Sequence, residues 1–150
     1  MAADALRWVG DADGFLEIID QRRLPAELVK IKCRNIDQLF EAIKTLAIRG
    51  APAIGVCAAY GLTLAMQELP ADDDLQAGLT CLQKSQDYLA SSRPTAANLF
   101  WAMDRISQSA QNFAAANPKA KLQTLQDIVL DEANAIYNED VDMCRRIGEN

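Results

Sequence analysis

The sequence contains no histidine in its 150 residues. Within this chain that absence removes Ser-His and Cys-His nucleophile pairs, the imidazole general base and the commonest metal ligand. Cysteine is sparse. Cys33, Cys57, Cys81 and Cys144 show no CxxC spacing, so zinc is not expected, and each reads as a small buried hydrophobe with a reduced thiol. Basic clusters are missing as well. Net charge is −6, and the stretches QRR at 21–23 and CRRIG at 144–148 are too short and isolated to form a basic stripe. A nucleic-acid or anionic-membrane surface needs such a stripe, so neither partner is expected. The charge-free run Ala51 to Met66 falls short of the roughly 20 residues of a membrane span. The start, MAADALRWVGDADG, is acidic and has no apolar core of a signal peptide; a cytoplasmic protein is the expectation.

What is present suits one ordinary folded domain: half of the residues are hydrophobic and 24% are charged. LRWV (6–9) and FLEII (15–19) flank GDADG, where Asp13-Gly14 is a hairpin signal. In ELVKIKC (27–33), Val29, Ile31 and Cys33 alternate with Lys30 and Lys32, the period of a strand with one wet face. From Asn35 the period becomes helical. Asn35 and Gln38 suit a capping box ahead of a stripe of Ile36, Leu39, Phe40, Ile43 and Leu46. Further helices are expected over Ala51–Met66, after ADDD (71–74) with Leu75, Leu79, Leu82 and Leu89 inward, after SSRPTA (91–96) with Pro94 near the first turn, and from Leu122 toward Ile147. In the fourth, Leu99, Phe100, Met103 and Ile106 face inward, and Asn117-Pro118 ends it. The expected fold class is α+β: a small antiparallel sheet of about three strands over 1–33, then a bundle of about five helices over 34–150.

Two helix starts carry the chemistry. In AIRGAPAIG (47–55), Pro52 suits a first helical turn, Gly50 permits unusual dihedrals and close ligand approach, and Arg49 offers a planar fork of donors. The free N–H groups and positive dipole end of such a turn favour an anion. SSRPTA repeats the pattern with Arg93 directly before Pro94, so the two arginines could converge on one phosphorylated small molecule. From spacing alone, a surface arginine or a structural ion pair describes Arg49 equally well. The small residues Gly55, Ala58, Ala59 and Gly61 read as close helix packing. The carboxylates of DADG, DDD and NED read as solvated loops and caps, and Trp8 and Trp101 as core or interface anchors. No convincing catalytic centre emerges from these residues, and no metal site.

In order, LRWVG, LEIIDQRRLP, AIRGAPAIG and SSRPTAANLFWAMDR resemble the N-terminal motifs of the S-methyl-5-thioribose-1-phosphate isomerases of methionine salvage. The wider superfamily includes ribose-1,5-bisphosphate isomerases and the regulatory subunits of initiation factor two B. The resemblance implies a homodimer without a required cofactor, in which this domain packs on a Rossmann-like C-terminal domain absent from this chain. It implies conversion of methylthioribose 1-phosphate into methylthioribulose 1-phosphate, with Arg49, Gly50, Ala51 and Arg93 in the substrate site. It also implies a catalytic cysteine in a Thr-His-Cys-Asn motif and a later catalytic aspartate, and neither motif occurs here. No catalytic residue is therefore assigned to this chain, and none of its four cysteines inherits the nucleophile's role. The expectation is the substrate-positioning part of the isomerase, a fragment inactive by itself. The alternatives are a regulatory or interaction module of the initiation-factor type and a ribose-1,5-bisphosphate isomerase relative.

Overall fold

The computed structural model describes residues 6–48, 50–70 and 72–149, the side chains of 148 and 149 excepted. Alternation of apolar residues builds the sheet. Strand β1 (Leu6–Val9) pairs antiparallel with β2 (Phe15–Ile19), matching Leu6 to Ile18 and Val9 to Phe15. Strand β2 pairs antiparallel with β3 (Lys30–Cys33), matching Leu16 to Cys33, and the order is β1-β2-β3. Leu6, Leu16, Ile18 and Cys33 are buried on the inner face. Outside, Glu17 lies 3.0 Å from the Arg7 Nε and 3.8 Å from the Lys30 Nζ. Gly10 takes the positive φ of 100° in the β1–β2 loop. Gly14 is needed for space instead, since a Cβ there would stand 2.1 Å from the Val9 carbonyl oxygen. The third strand is shorter than the expected 27–33: residues 24–26 form a turn closed by Glu27 N–H donating to the Arg23 carbonyl, and pairing with β2 begins only at Lys30.

Five α-helices follow among the described residues. Helix α1 (Ile36–Lys44) starts as expected, with Asn35 accepting from Gln38 N–H at 2.9 Å. The reciprocal bond differs from a standard capping box: Gln38 Oε1 accepts from Arg34 N–H at 2.6 Å, one residue further back. Leu46 is not part of the α1 stripe. The helix stops at Lys44, and Leu46 follows with a φ of 66° and 41% exposure.

Helix α2 (Ala51–Met66) is buried on all sides from Ala53 to Met66, which is why it has no charge. It packs against α3 (Leu75–Ala90), α4 (Ala97–Ala116), α5 (Leu122–Glu149), α1 and β1. Asp74 caps α3, accepting from Ala77 N–H at 2.9 Å. Pro94 lies in the turn before α4 and not in its first turn, because the helix starts only at Ala97. Leu99, Met103 and Ile106 face inward, and Phe100 is half-buried. Trp8 does anchor the core, stacking on Tyr60 at 5.2 Å, and the Tyr60 hydroxyl donates to Asn134 Oδ1 on α5.

Candidate functional site

The starts of α2 and α4 open onto one cavity. Gly50 is the N-cap of α2, with φ 94° and ψ 132°, and its carbonyl accepts from Ile54 N–H at 3.0 Å. A Cβ at Gly50 would meet nothing within 4 Å, so the backbone conformation, not space, calls for glycine. Ala96 is the N-cap of α4. No side chain caps either helix, whereas Asn35 and Asp74 cap α1 and α3. Pro52 has no N–H and Leu99 N–H donates to the Ala96 carbonyl at 3.1 Å, so only the remaining first-turn N–H groups, with the positive dipole ends, face outward from the two helices. Between them lies a cavity of about 320 Å³, lined by Leu46, Gly50, Ala51, Arg93, Thr95 and Asn98 among others.

Three of the four expected site residues, Gly50, Ala51 and Arg93, therefore meet around one space although they come from two helix starts. Arg49 lies outside the described residues. What brings the two starts so close is Gly55. A Cβ on it would stand 2.9 Å from the Asn98 carbonyl oxygen, so any other residue would press α4 away.

The turn leading to Gly50 is braced by DQRRLP, a stretch that periodicity alone left without a task. Asp20 caps a 3-10 turn over Gln21–Arg23 and is buried. It accepts from Arg22 Nε at 2.9 Å and Arg22 NH2 at 2.8 Å. Arg22 NH1 reaches Thr45 Oγ1 at 3.2 Å, and Gln21 N–H donates to the Ala47 carbonyl at 2.8 Å. The hydrogen-bonded Arg22 guanidinium holds the Asp20 carboxyl below its ordinary value, against burial, which pushes the other way.

A second cavity, of about 430 Å³, shares Asn98 with the first and is lined mainly by Pro52, Val56, Trp101, Ile136, Asp140 and Met143. Trp101 is no core anchor: it is 55% exposed, with the Arg105 guanidinium 5.7 Å from its ring centre. Asp140 Oδ2 is shielded from solvent with no hydrogen-bond partner, and burial raises that carboxyl above its ordinary value.

The cysteines are all free. Burial pushes the Cys33 thiol up to about 11, raises Cys57 well above the ordinary thiol value and raises Cys81. Those three thiols are protonated at neutral pH, the wrong state for a nucleophile. Among the described residues, no three His, Cys, Asp or Glu side chains are grouped as metal ligands, and no helix is long and apolar enough to cross a membrane. What lines the cavity between the two helix starts is backbone N–H groups and Arg93, donor types that suit an anion.

Residues 47–150 match the model of the initiation factor 2 subunit family. The 5-deoxyribose 1-phosphate isomerase of Moorella thermoacetica is 51% identical over 138 residues, which cover 91% of this chain and 38% of that protein. Two crystal structures share the fold over 91% of this chain and 37% of their own. One is the translation initiation factor eIF-2B subunit delta from A. fulgidus, with a TM-score of 0.78 and 37% identity. The other is the 5-methylthioribose 1-phosphate isomerase from Pyrococcus horikoshii OT3, with a TM-score of 0.76 and 32% identity. This chain spans a little over a third of the length of each of these proteins.

Proposed function

Because the chain belongs to the initiation factor 2 subunit family, we propose that it is the substrate-positioning part of an aldose-ketose isomerase that turns 5-methylthioribose 1-phosphate into 5-methylthioribulose 1-phosphate in methionine salvage. The observation that carries this reading is the convergence of Gly50, Ala51 and Arg93 on one cavity between two helix starts without side-chain caps. Arg49, which directly precedes Gly50, is the fourth member of the proposed site.

A sugar phosphate dianion suits that space. The first-turn N–H groups donate to its oxygens, the dipole ends favour its charge, and the Arg93 fork can bind two oxygens at once. The substrate's anomeric carbon carries the phosphate, so its ring cannot open as a free hemiacetal would. Catalysis must assist ring opening and then move hydrogen from C2 to C1. The Cys33, Cys57 and Cys81 thiols stay protonated at neutral pH, and among the described residues no carboxylate or thiol lines the cavity, so in this reading the chain holds the substrate while groups outside it do the chemistry. A homodimer, a cytoplasmic location and function without a cofactor belong to the same proposal.

The test is titration of the chain with 5-methylthioribose 1-phosphate, before and after Arg93→Ala. Loss of a charge-assisted bidentate contact, worth about 1.5–3 kcal/mol, should weaken binding by roughly 10- to 100-fold. Arg93→Lys should restore only part, since a point charge replaces a fork. Equal affinity in all three proteins would remove Arg93 from the site. The likeness to eIF-2B subunit delta supports a second reading, a regulatory module that binds protein through its helices. A stoichiometric protein partner, together with no sugar-phosphate binding, would favour it.

A further inference from the structure

The turn between α1 and α2 holds an exposed leucine in a backbone conformation that leucine avoids. Leu46 has a φ of 66°, the left-handed region that favours glycine and asparagine. It is 41% exposed, while its neighbours Ala47 and Ile48 are wholly buried. The conformation is enforced from both sides. Leu46 N–H donates to the Ile43 carbonyl at 3.3 Å, and Ala47 N–H to the Ala42 carbonyl at 2.9 Å. From the other side, Gln21 N–H holds the Ala47 carbonyl and Arg22 holds Thr45. The result is an isobutyl group on the wall of the cavity that Gly50, Ala51 and Arg93 also line, with Ile54 beside it.

A strained residue kept in place by its surroundings points to a role at the site it faces. An anion by itself has no use for an apolar wall. In a ribose 1-phosphate framework, C1 carries the phosphate, C2 and C3 carry hydroxyls and C4 closes the ring, so an apolar group can be offered only at C5. We propose that Leu46, together with Ile54, is a specificity-determining residue that selects sugar phosphates with an apolar C5 substituent over those with a hydroxyl or a phosphate there. This rests on the phosphosugar reading of the same cavity. Against Leu46 a methyl or methylthio group is removed from water, whereas a hydroxyl would lose its hydrogen bonds without replacement.

The experiment compares 5-methylthioribose 1-phosphate with ribose 1-phosphate by calorimetric titration of the 150-residue chain and of Leu46→Asn and Leu46→Gly. Both replacements suit a positive φ, so their melting temperatures should equal or exceed the parent's, and a change in binding is then not a folding defect. The parent should prefer the methylthio sugar by about 10-fold or more, as a buried apolar group allows. The variants should bring the two affinities to within roughly threefold, while Arg93→Ala weakens both ligands alike. Equal binding of the two sugars by the parent, or an unchanged preference in both variants, overturns the role of Leu46 and leaves the phosphosugar reading standing. No saturable binding of either sugar by the parent overturns both.

Discussion

At the scale of single residues, Asp20 does more than its exposed neighbours in DQRRLP suggest. It is 2% exposed and tied to Arg22 by two guanidinium hydrogen bonds, and Arg22 continues to Thr45 at the turn before Gly50. Its carboxyl is held below the ordinary 3.8, first by the Arg22 side-chain bond. A carboxyl depressed in the folded state adds stability that is fully present above its unfolded value and is lost as pH falls below it. Denaturant unfolding between pH 6 and 3 should therefore show a loss that Asp20→Asn lacks. At neutral pH, Asp20→Asn should cost about 1–3 kcal/mol, because an amide cannot accept both Arg22 bonds. Identical pH profiles of the two proteins would remove Asp20 as a brace. The negative charge and its basic neighbours were visible in the sequence, but their partner Thr45 was not, because it lies 23 residues away along the chain.

Among the elements, α2 is the one whose sequence most constrains its surroundings. Its two internal glycines make contrasting demands. A Cβ at Gly55 would meet the backbone carbonyl of Asn98 at 2.9 Å, and backbone cannot step aside without moving the start of α4. A Cβ at Gly61 would meet Leu39 Cδ2 at 2.7 Å and Leu89 Cδ1 at 2.8 Å, which are ends of flexible side chains. Gly55→Ala should therefore cost about 1–3 kcal/mol by overpacking and also weaken sugar-phosphate binding, since it parts the two helix starts. Gly61→Ala should cost less and leave binding unchanged, because it lies two turns from the cavity. Denaturation midpoints and titrations of the two variants check this, and equal effects on binding would contradict the role given to Gly55. Small residues in this run were legible as close packing. Which of them touches backbone and which touches side chain was not, since that depends on how the facing helix lies.

For the whole molecule, the binding proposed for the cavity would couple to folding. Gly50 and Arg93 come from segments that meet only in the folded chain, so a ligand that binds there has no affinity for the unfolded state. Inorganic phosphate should raise the melting temperature in a concentration-dependent way, with about 2.7 kcal/mol of stabilisation at 100 times its dissociation constant. Arg93→Ala should lose most of that shift, whereas sodium chloride at equal ionic strength should not reproduce it. A shift of the same size in parent and variant would place phosphate elsewhere.

Local chemistry determined much of this protein before any tertiary contact. Alternation in KIKC marked a strand and its inner face, FLEII read as a strand by its apolar residues and flanking turn, and the uncharged Ala51–Met66 run read as a helix whose small residues allow close packing. Asn35 and Asp74 marked two helix starts through their own side-chain hydrogen bonds, and Arg-Gly-Ala and Ser-Arg-Pro marked the two pieces of the proposed anion site. These signals are readable because each arises from residues within one or two turns of each other. Tertiary structure alone decided that the two pieces share one cavity, that Leu46 leaves its helix to line it, that Pro94 stays in a turn, and that Trp101 faces outward. Each of those depends on how α1, α2 and α4 pack on one another, and packing is fixed by contacts between residues far apart in the chain, which no local pattern encodes.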